Sequence, residues 1–129
     1  MIVGLGIDAI DIDRIKRMYD DKGQRMLDRL FRPDELAYLA TKQEPAQHLA
    51  VRLAAKEAAY KALSGTEHAR GIGWRDVEVV TQEDGSPVLR FYGRAAARLA
   101  ELGATTTAVS LTHSASTAVA VVVDRKSVV

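Results

Sequence analysis

The sequence contains no cysteine. That excludes disulfides, thiolate zinc sites and cysteine nucleophiles together, and it fits a reducing compartment. Aromatic residues are only 5% of the chain and the formal net charge is +1. Neither the basic footprint nor the stacking platforms of an RNA-binding domain are present. No apolar run approaches the roughly 20 residues of a membrane helix. The opening segment MIVGLGIDAID has no positive n-region and meets an acid at Asp8, so it does not read as a signal peptide. The expectation is a soluble, cytoplasmic protein with no nucleic-acid or membrane partner.

What is present is ordinary globular composition, 47% hydrophobic and 27% charged over 129 residues. That length predicts a single domain, residues 1–129. Ile2 to Ile7 predicts a strand running into Asp8. Ile12, Ile15 and Met18 or Tyr19 then recur at helical spacing, with Asp11 or Asp13 as the start signal. Met26, Leu27, Leu30 and Phe31 form a second short stripe, and Pro33 opens a third with Leu36 and Leu39. Pro45 opens the longest helix, about Ala46 to Ser64, with Gly65 as its stop. Val77 to Thr81 and Val88 to Tyr92 flank the turn Glu83-Asp84-Gly85-Ser86-Pro87 and read as a hairpin. An alanine-rich helix, Gly93 to Leu102, precedes two alternating strands, Thr106 to Thr112 and Ala118 to Asp124. The order predicts an α+β fold, a mostly antiparallel sheet packed against one long and several short helices.

Two acids break these patterns. Glu57 falls on the same helical face as Ala46, Leu49, Ala50, Leu53, Ala54 and Tyr60. A carboxylate on a core stripe is costly to desolvate unless a cation meets it. One reading is a structural ion pair with Lys61, four residues on. Asp8 ends an apolar strand, and one reading there is an N-cap for the next helix. The other reading joins the two as a hard-cation site, since magnesium takes one or two carboxylates and completes its shell with water and phosphate. Lys61, Lys56 and Arg52 would then serve phosphate, which is the equipment of phosphoryl transfer. A noncatalytic binding module would give Glu57 no reason to need a cation.

Other signals are weaker. Gly4-Leu5-Gly6 lies within a strand and lacks a third glycine, so it reads as close backbone packing, not a dinucleotide fingerprint. His48 and His68 read as surface residues, and His113, beside Ser114, carries no metal spacing. Arg14, Lys16, Arg17, Lys22, Arg25, Arg29 and Arg32 make one segment locally basic. That is either a face laced by pairs such as Asp21/Arg25 and Asp28/Arg32, or a docking surface for an acidic partner.

Gly6-Ile7-Asp8, Arg14, FRPDE at Phe31 to Glu35, RLAAKEAAYK at Arg52 to Lys61, WRDVEV at Trp74 to Val79, Gly85-Ser86-Pro87 and SLTH at Ser110 to His113 together resemble the holo-acyl-carrier-protein synthases. These are the small bacterial 4′-phosphopantetheinyl transferases. The resemblance runs in order along nearly the whole chain. It implies transfer of 4′-phosphopantetheine from coenzyme A to a serine of an acidic apo-acyl carrier protein, with 3′,5′-ADP released. It implies magnesium on Asp8 and Glu57, Lys61 on the transferred phosphate, and Arg14 on the carrier; the docking reading of the basic segment adds Arg25 as a weaker carrier contact. It further implies Arg52, Lys56, Gly65, Ser86, Pro87 and His113 around coenzyme A, in clefts between subunits of a homotrimer. One departure precedes the long helix. Relatives often carry a basic pair there, whereas this chain has only Lys42 ahead of Gln43-Glu44-Pro45.

Overall fold

The computed structural model describes residues 1–64 and 67–127. Along the chain run β1 (Ile2–Asp11), α1 (Ile12–Lys22), α2 (Gln24–Leu30), α3 (Pro33–Leu39), α4 (Pro45–Leu63), β2 (Val77–Thr81), β3 (Pro87–Phe91), α5 (Gly93–Glu101), β4 (Thr106–His113) and β5 (Thr117–Arg125). Single 3₁₀ turns sit at Glu67–Ala69 and Trp74–Asp76. The strands form a three-stranded sheet ordered β1-β5-β4 and a two-stranded sheet β2-β3, and every pairing is antiparallel. The expected α+β fold is therefore the observed one.

β1 is longer than its apolar run suggested. Pairing with β5 carries it through Asp8, opposite Ala120, to Asp11, opposite Thr117. Asp8 thus lies inside a strand. Asp11 caps α1, its carboxylate accepting from the Asp13 amide at 3.0 Å, which leaves Asp8 free of capping.

α4 departs most from expectation. A one-faced stripe was predicted, yet Leu49 to Lys56, Ala58, Ala59, Ala62 and Leu63 are all buried, while Tyr60 is 41% exposed. The cause is the helix's central place: β1 and β5 pack on one side, α1, α3 and β2 on others. Its alanines let those neighbours come close from every direction. Closest is β1, whose Gly4 and Gly6 lie directly over the carbonyls of Ala62 and Ala58. Two apolar clusters result. One gathers Ile12, Ile15, Phe31, Leu49 and Leu53; the other gathers Ala54, Ala58, Leu63, Val77 and Val122. Burying each larger side chain contributes roughly 1.5–3 kcal/mol.

The inner face of the larger sheet, with Gly6, Ala118, Ala120 and Val122, covers α4. By strand alternation the outer face carries Leu5, Ile7 and Ala9 beside Val123, Val121 and Val119. It is uncovered: Leu5 is 64% and Ile7 59% exposed.

Candidate active site

Because Gly6 brings β1 against α4, Asp8 and Glu57 meet where strand and helix touch. Lys61 donates to Asp8 Oδ1 at 2.9 Å and to the carbonyl of Ile7 at 3.1 Å. The i−4 partner suggested by spacing, Glu57, is not the one Lys61 takes. Burial first, and the Asp8 charge second, push the Glu57 carboxyl above the usual range, with Lys61 opposing them. The hydrogen bond to Asp8 holds the Lys61 ammonium above its ordinary value. Two carboxylates and one ammonium thus share a small volume at the protein surface. Among the described residues no group of three or more His, Cys, Asp or Glu could hold a metal. A pair of carboxylates suits a cation that keeps water and phosphate oxygens in its shell, and suits poorly one needing an all-protein cage.

Lys56, expected among the phosphate ligands, is buried. Its ammonium meets Glu35 Oε1 at 2.9 Å and the carbonyls of Trp74, at 3.0 Å, and Val77. Glu35 also accepts from the amides of Arg32 and Val79, each at 3.0 Å. This network ties α3 and β2 to α4 one residue before Glu57. Breaking one partner of such a buried pair typically costs about 3–5 kcal/mol.

A second cluster lies toward the N-terminal end of α4. The Arg52 guanidinium stacks over Tyr38 at 4.0 Å and donates to Thr81 Oγ1 at 2.6 Å. Lys42 sits 4.6 Å above the same ring, and His48 meets it edge-on at 6.2 Å. His48, expected at the surface, is half-buried. Burial first, then the charges of Lys42, Arg52 and His113, push its pKa below the ordinary histidine value. Burial raises the Tyr38 hydroxyl, but the bond to Lys42 and the Arg52 charge outweigh it and leave it low. Arg52 is 4% exposed and its Nε has no partner. A buried donor of that kind among four basic groups suits an anion.

The remaining candidates are spread around these centres. Ser86 and Pro87 leave the β2-β3 turn, where the Ser86 amide donates to Asp84 Oδ1 at 2.9 Å. His113 is exposed at the end of β4, its Nδ1 3.3 Å from the carbonyl of Ser114. Arg14 on α1 and Arg25 on α2 are exposed. Among the described residues neither Asp21/Arg25 nor Asp28/Arg32 closes as an ion pair; Asp28 accepts from Gln24 instead, at 2.8 Å. Gly65 and the side chain of His68 lie outside the described residues. Sequence reasoning missed Glu35 and Tyr38. The acid three residues after Arg32, behind Pro33, was the only local signal for Glu35.

Comparison with known proteins bears on all of this. The family model of the 4′-phosphopantetheinyl transferase superfamily matches residues 4–122. A holo-[acyl-carrier-protein] synthase of Nitratidesulfovibrio vulgaris is 49% identical over 123 residues, 95% of this chain and 98% of that protein. The crystal structure of holo-[acyl-carrier-protein] synthase from Neisseria meningitidis matches with a TM-score of 0.85 at 29% identity, over 98% of this chain and 100% of that one. A holo-(acyl-carrier-protein) synthase from Bacillus anthracis in complex with CoA (3′,5′-ADP) matches with a TM-score of 0.79 at 31% identity, over 98% and 99%.

Proposed function

The chain belongs to the 4′-phosphopantetheinyl transferase superfamily and is a transferase; on that premise we propose that it moves 4′-phosphopantetheine from coenzyme A to a serine of an apo-acyl carrier protein and releases 3′,5′-ADP. The observation that carries this reading is the Asp8, Glu57 and Lys61 constellation at the contact of β1 and α4. Asp8 and Glu57 would hold a magnesium ion. That ion, when bound, would neutralise diphosphate charge. Their mutual repulsion, felt in the raised Glu57, favours such a cation between them.

The residues of the chain then divide the work. Lys61 exchanges its bond to Asp8 for an oxygen of the transferred phosphate. The carrier serine attacks that phosphorus, the new Ser O–P bond forms, and the P–O bond to 3′,5′-ADP breaks. Of the chain's own groups the Glu57 carboxylate, beside Asp8 and Lys61, is the candidate to accept the serine proton. Arg52, Lys42, His48 and His113 form the anion site for the 3′-phosphate, which places Lys42 in the role of the missing basic pair. Ser86 and Pro87 line the nucleotide side. Lys56 acts indirectly, by fixing α4 through Glu35.

Arg14 and Arg25 meet the acidic carrier. Arg25 stands with Lys22 and Arg29 around one surface hollow, and opposite charge there steers docking. The uncovered apolar face of Leu5, Ile7, Val119, Val121 and Val123 supports a homotrimer built sheet against sheet, with a coenzyme A cleft at each junction. Incubation with coenzyme A, magnesium and an apo carrier, followed by intact mass of the carrier, tests the reading. A gain of one phosphopantetheine is expected. No gain with any acyl carrier across neutral pH overturns it.

A further inference from the structure

Lys61 reaches β1 from the last turns of α4. Its ammonium donates to Asp8 Oδ1 at 2.9 Å and to the carbonyl of Ile7 at 3.1 Å. The Lys61 side chain is 50% exposed and that of Asp8 17%. A pair so open to water contributes little to stability. It is also not what holds β1 on α4, because Gly4 and Gly6 already press backbone against backbone there. The contact does little for the fold, yet it falls on one of the two carboxylates of the candidate cation site.

Among the described residues Asp8 pairs with no other base, and Glu57 closes no ion pair at all. The neighbouring cations are engaged, Lys56 by Glu35 and Arg52 by Tyr38 and Thr81. Lys61 therefore takes a carboxylate oxygen that a metal ion would need. Holding both cations on one carboxylate would set like charges a few ångströms apart. Two unit charges about 4 Å apart disfavour each other about fivefold even in bulk water, and a divalent ion doubles the charge. Ammonium and divalent ion thus compete for Asp8. A phosphate oxygen beside the carboxylates changes the contest, because it offers the ammonium another partner and leaves Asp8 to the ion.

We propose that Lys61 is a resident competitor for the cation site, keeping Asp8 closed to a free divalent ion until a phosphate-bearing ligand draws the ammonium away. The proposal rests on the transferase reading above. It makes the cation and coenzyme A a cooperative pair. By linkage, the factor by which coenzyme A tightens the cation is the factor by which the cation tightens coenzyme A. No covalent bond forms or breaks in this exchange. Lys61 thus has a second task besides meeting the transferred phosphate, and the two tasks pull in opposite directions on metal affinity.

Lys61→Met removes the charge and keeps the aliphatic stem; Lys61→Gln takes its place if that variant does not fold. Binding of Mn²⁺, an oxygen-seeking stand-in for magnesium, is followed by the paramagnetic resonance signal of the free ion, with no turnover required. Without coenzyme A, Lys61→Met is expected to bind Mn²⁺ about tenfold or more tightly than the wild type, although its transfer activity falls. Coenzyme A should tighten Mn²⁺ on the wild type, after correction for the ion's own binding to coenzyme A, and do so far less on Lys61→Met. Adding Asp8→Asn to Lys61→Met should erase the gain. A lysine that only braced the fold or only touched phosphate would leave the affinity of the free protein for Mn²⁺ unchanged. Equal or weaker binding by Lys61→Met overturns the proposal, as does a gain that survives Asp8→Asn. A wild type that takes up Mn²⁺ neither with coenzyme A nor without it would bring down the transferase reading, and this proposal with it.

Discussion

Replacing Gly6 with alanine will separate β1 from α4 and pull the carboxylate pair apart. The added methyl would overlap the carbonyl oxygen of Ala58 and lie 2.8 Å from its carbon and 2.9 Å from the nitrogen of Ala62. All three are backbone atoms of one helix, so no side-chain rotation relieves the clash. Ordinary contacts between such atoms begin at roughly 3.5 Å, so the strand must retreat by more than ~1 Å to clear the Ala58 carbonyl oxygen. Overpacking of this kind costs about 1–3 kcal/mol. The chemical consequence is larger. Asp8 lies two residues along the same face of β1, and its 2.9 Å bond to Lys61 marks the scale on which the site is set. A shift of about 1 Å in a positioned group can lower a rate by ~10²-fold. Urea unfolding and carrier modification kinetics together check this. The expected result is a folded protein, about 1–3 kcal/mol less stable, with kcat/KM down by about two orders of magnitude. Near-normal kcat/KM together with unchanged stability would refute the claim that strand–helix contact sets the Asp8–Glu57 geometry.

Three further outcomes are expected. Arg14→Glu should raise KM for the carrier, leave KM for coenzyme A little changed, and lose its effect at high salt, where exposed charges are screened; steady-state kinetics at two ionic strengths reads this. Asp124 is fully buried, with Oδ1 accepting from Thr107 at 2.9 Å and Oδ2 without a partner, and burial raises its pKa. The folded chain therefore holds that proton more tightly than the unfolded chain, and its stabilisation is lost as pH rises through the folded pKa. Asp124→Asn should flatten this fall between acid and alkaline urea titrations, gaining about 1–3 kcal/mol on the alkaline side; an unchanged pH slope would contradict the assignment. Mixing inactive Glu57→Ala protein with an inactive His113 variant should restore part of the activity, because some mixed junctions receive two intact halves. No rescue after verified subunit exchange would count against intersubunit sites.

The regular elements were legible because their signals are local. Pro45 marked the start of α4, Asp84-Gly85 the hairpin turn, and alternating valines β5. Glu57 was legible as a misplaced acid in an alanine-rich helix. What escaped depended on distant partners. Lys56 looked like a phosphate ligand because Glu35 lies 21 residues upstream, and only folding brings it to 2.9 Å. Lys61 had Glu57 one turn away in sequence, yet the β1 register delivers Asp8 instead. The all-round burial of α4 was hidden because alanine fits a core and a surface equally well. Asp124 was legible only as the last residue of a strand; its burial opposite Gly4 depends on the β1-β5 pairing. The basic cluster needed Tyr38 of α3 as a shared platform for Lys42, in the loop that follows, and for His48 and Arg52 of α4.

The central claim is that Asp8 and Glu57 hold the divalent cation on which transfer depends. It is tested most directly by titrating magnesium into the carrier-modification reaction for the wild type and for Glu57→Gln, with intact mass as the readout. Glutamine keeps the shape and removes the charge. The account predicts magnesium-dependent transfer by the wild type, and loss of transfer by a folded Glu57→Gln protein at magnesium concentrations that saturate the wild type. Near-normal, magnesium-dependent turnover by Glu57→Gln would contradict it.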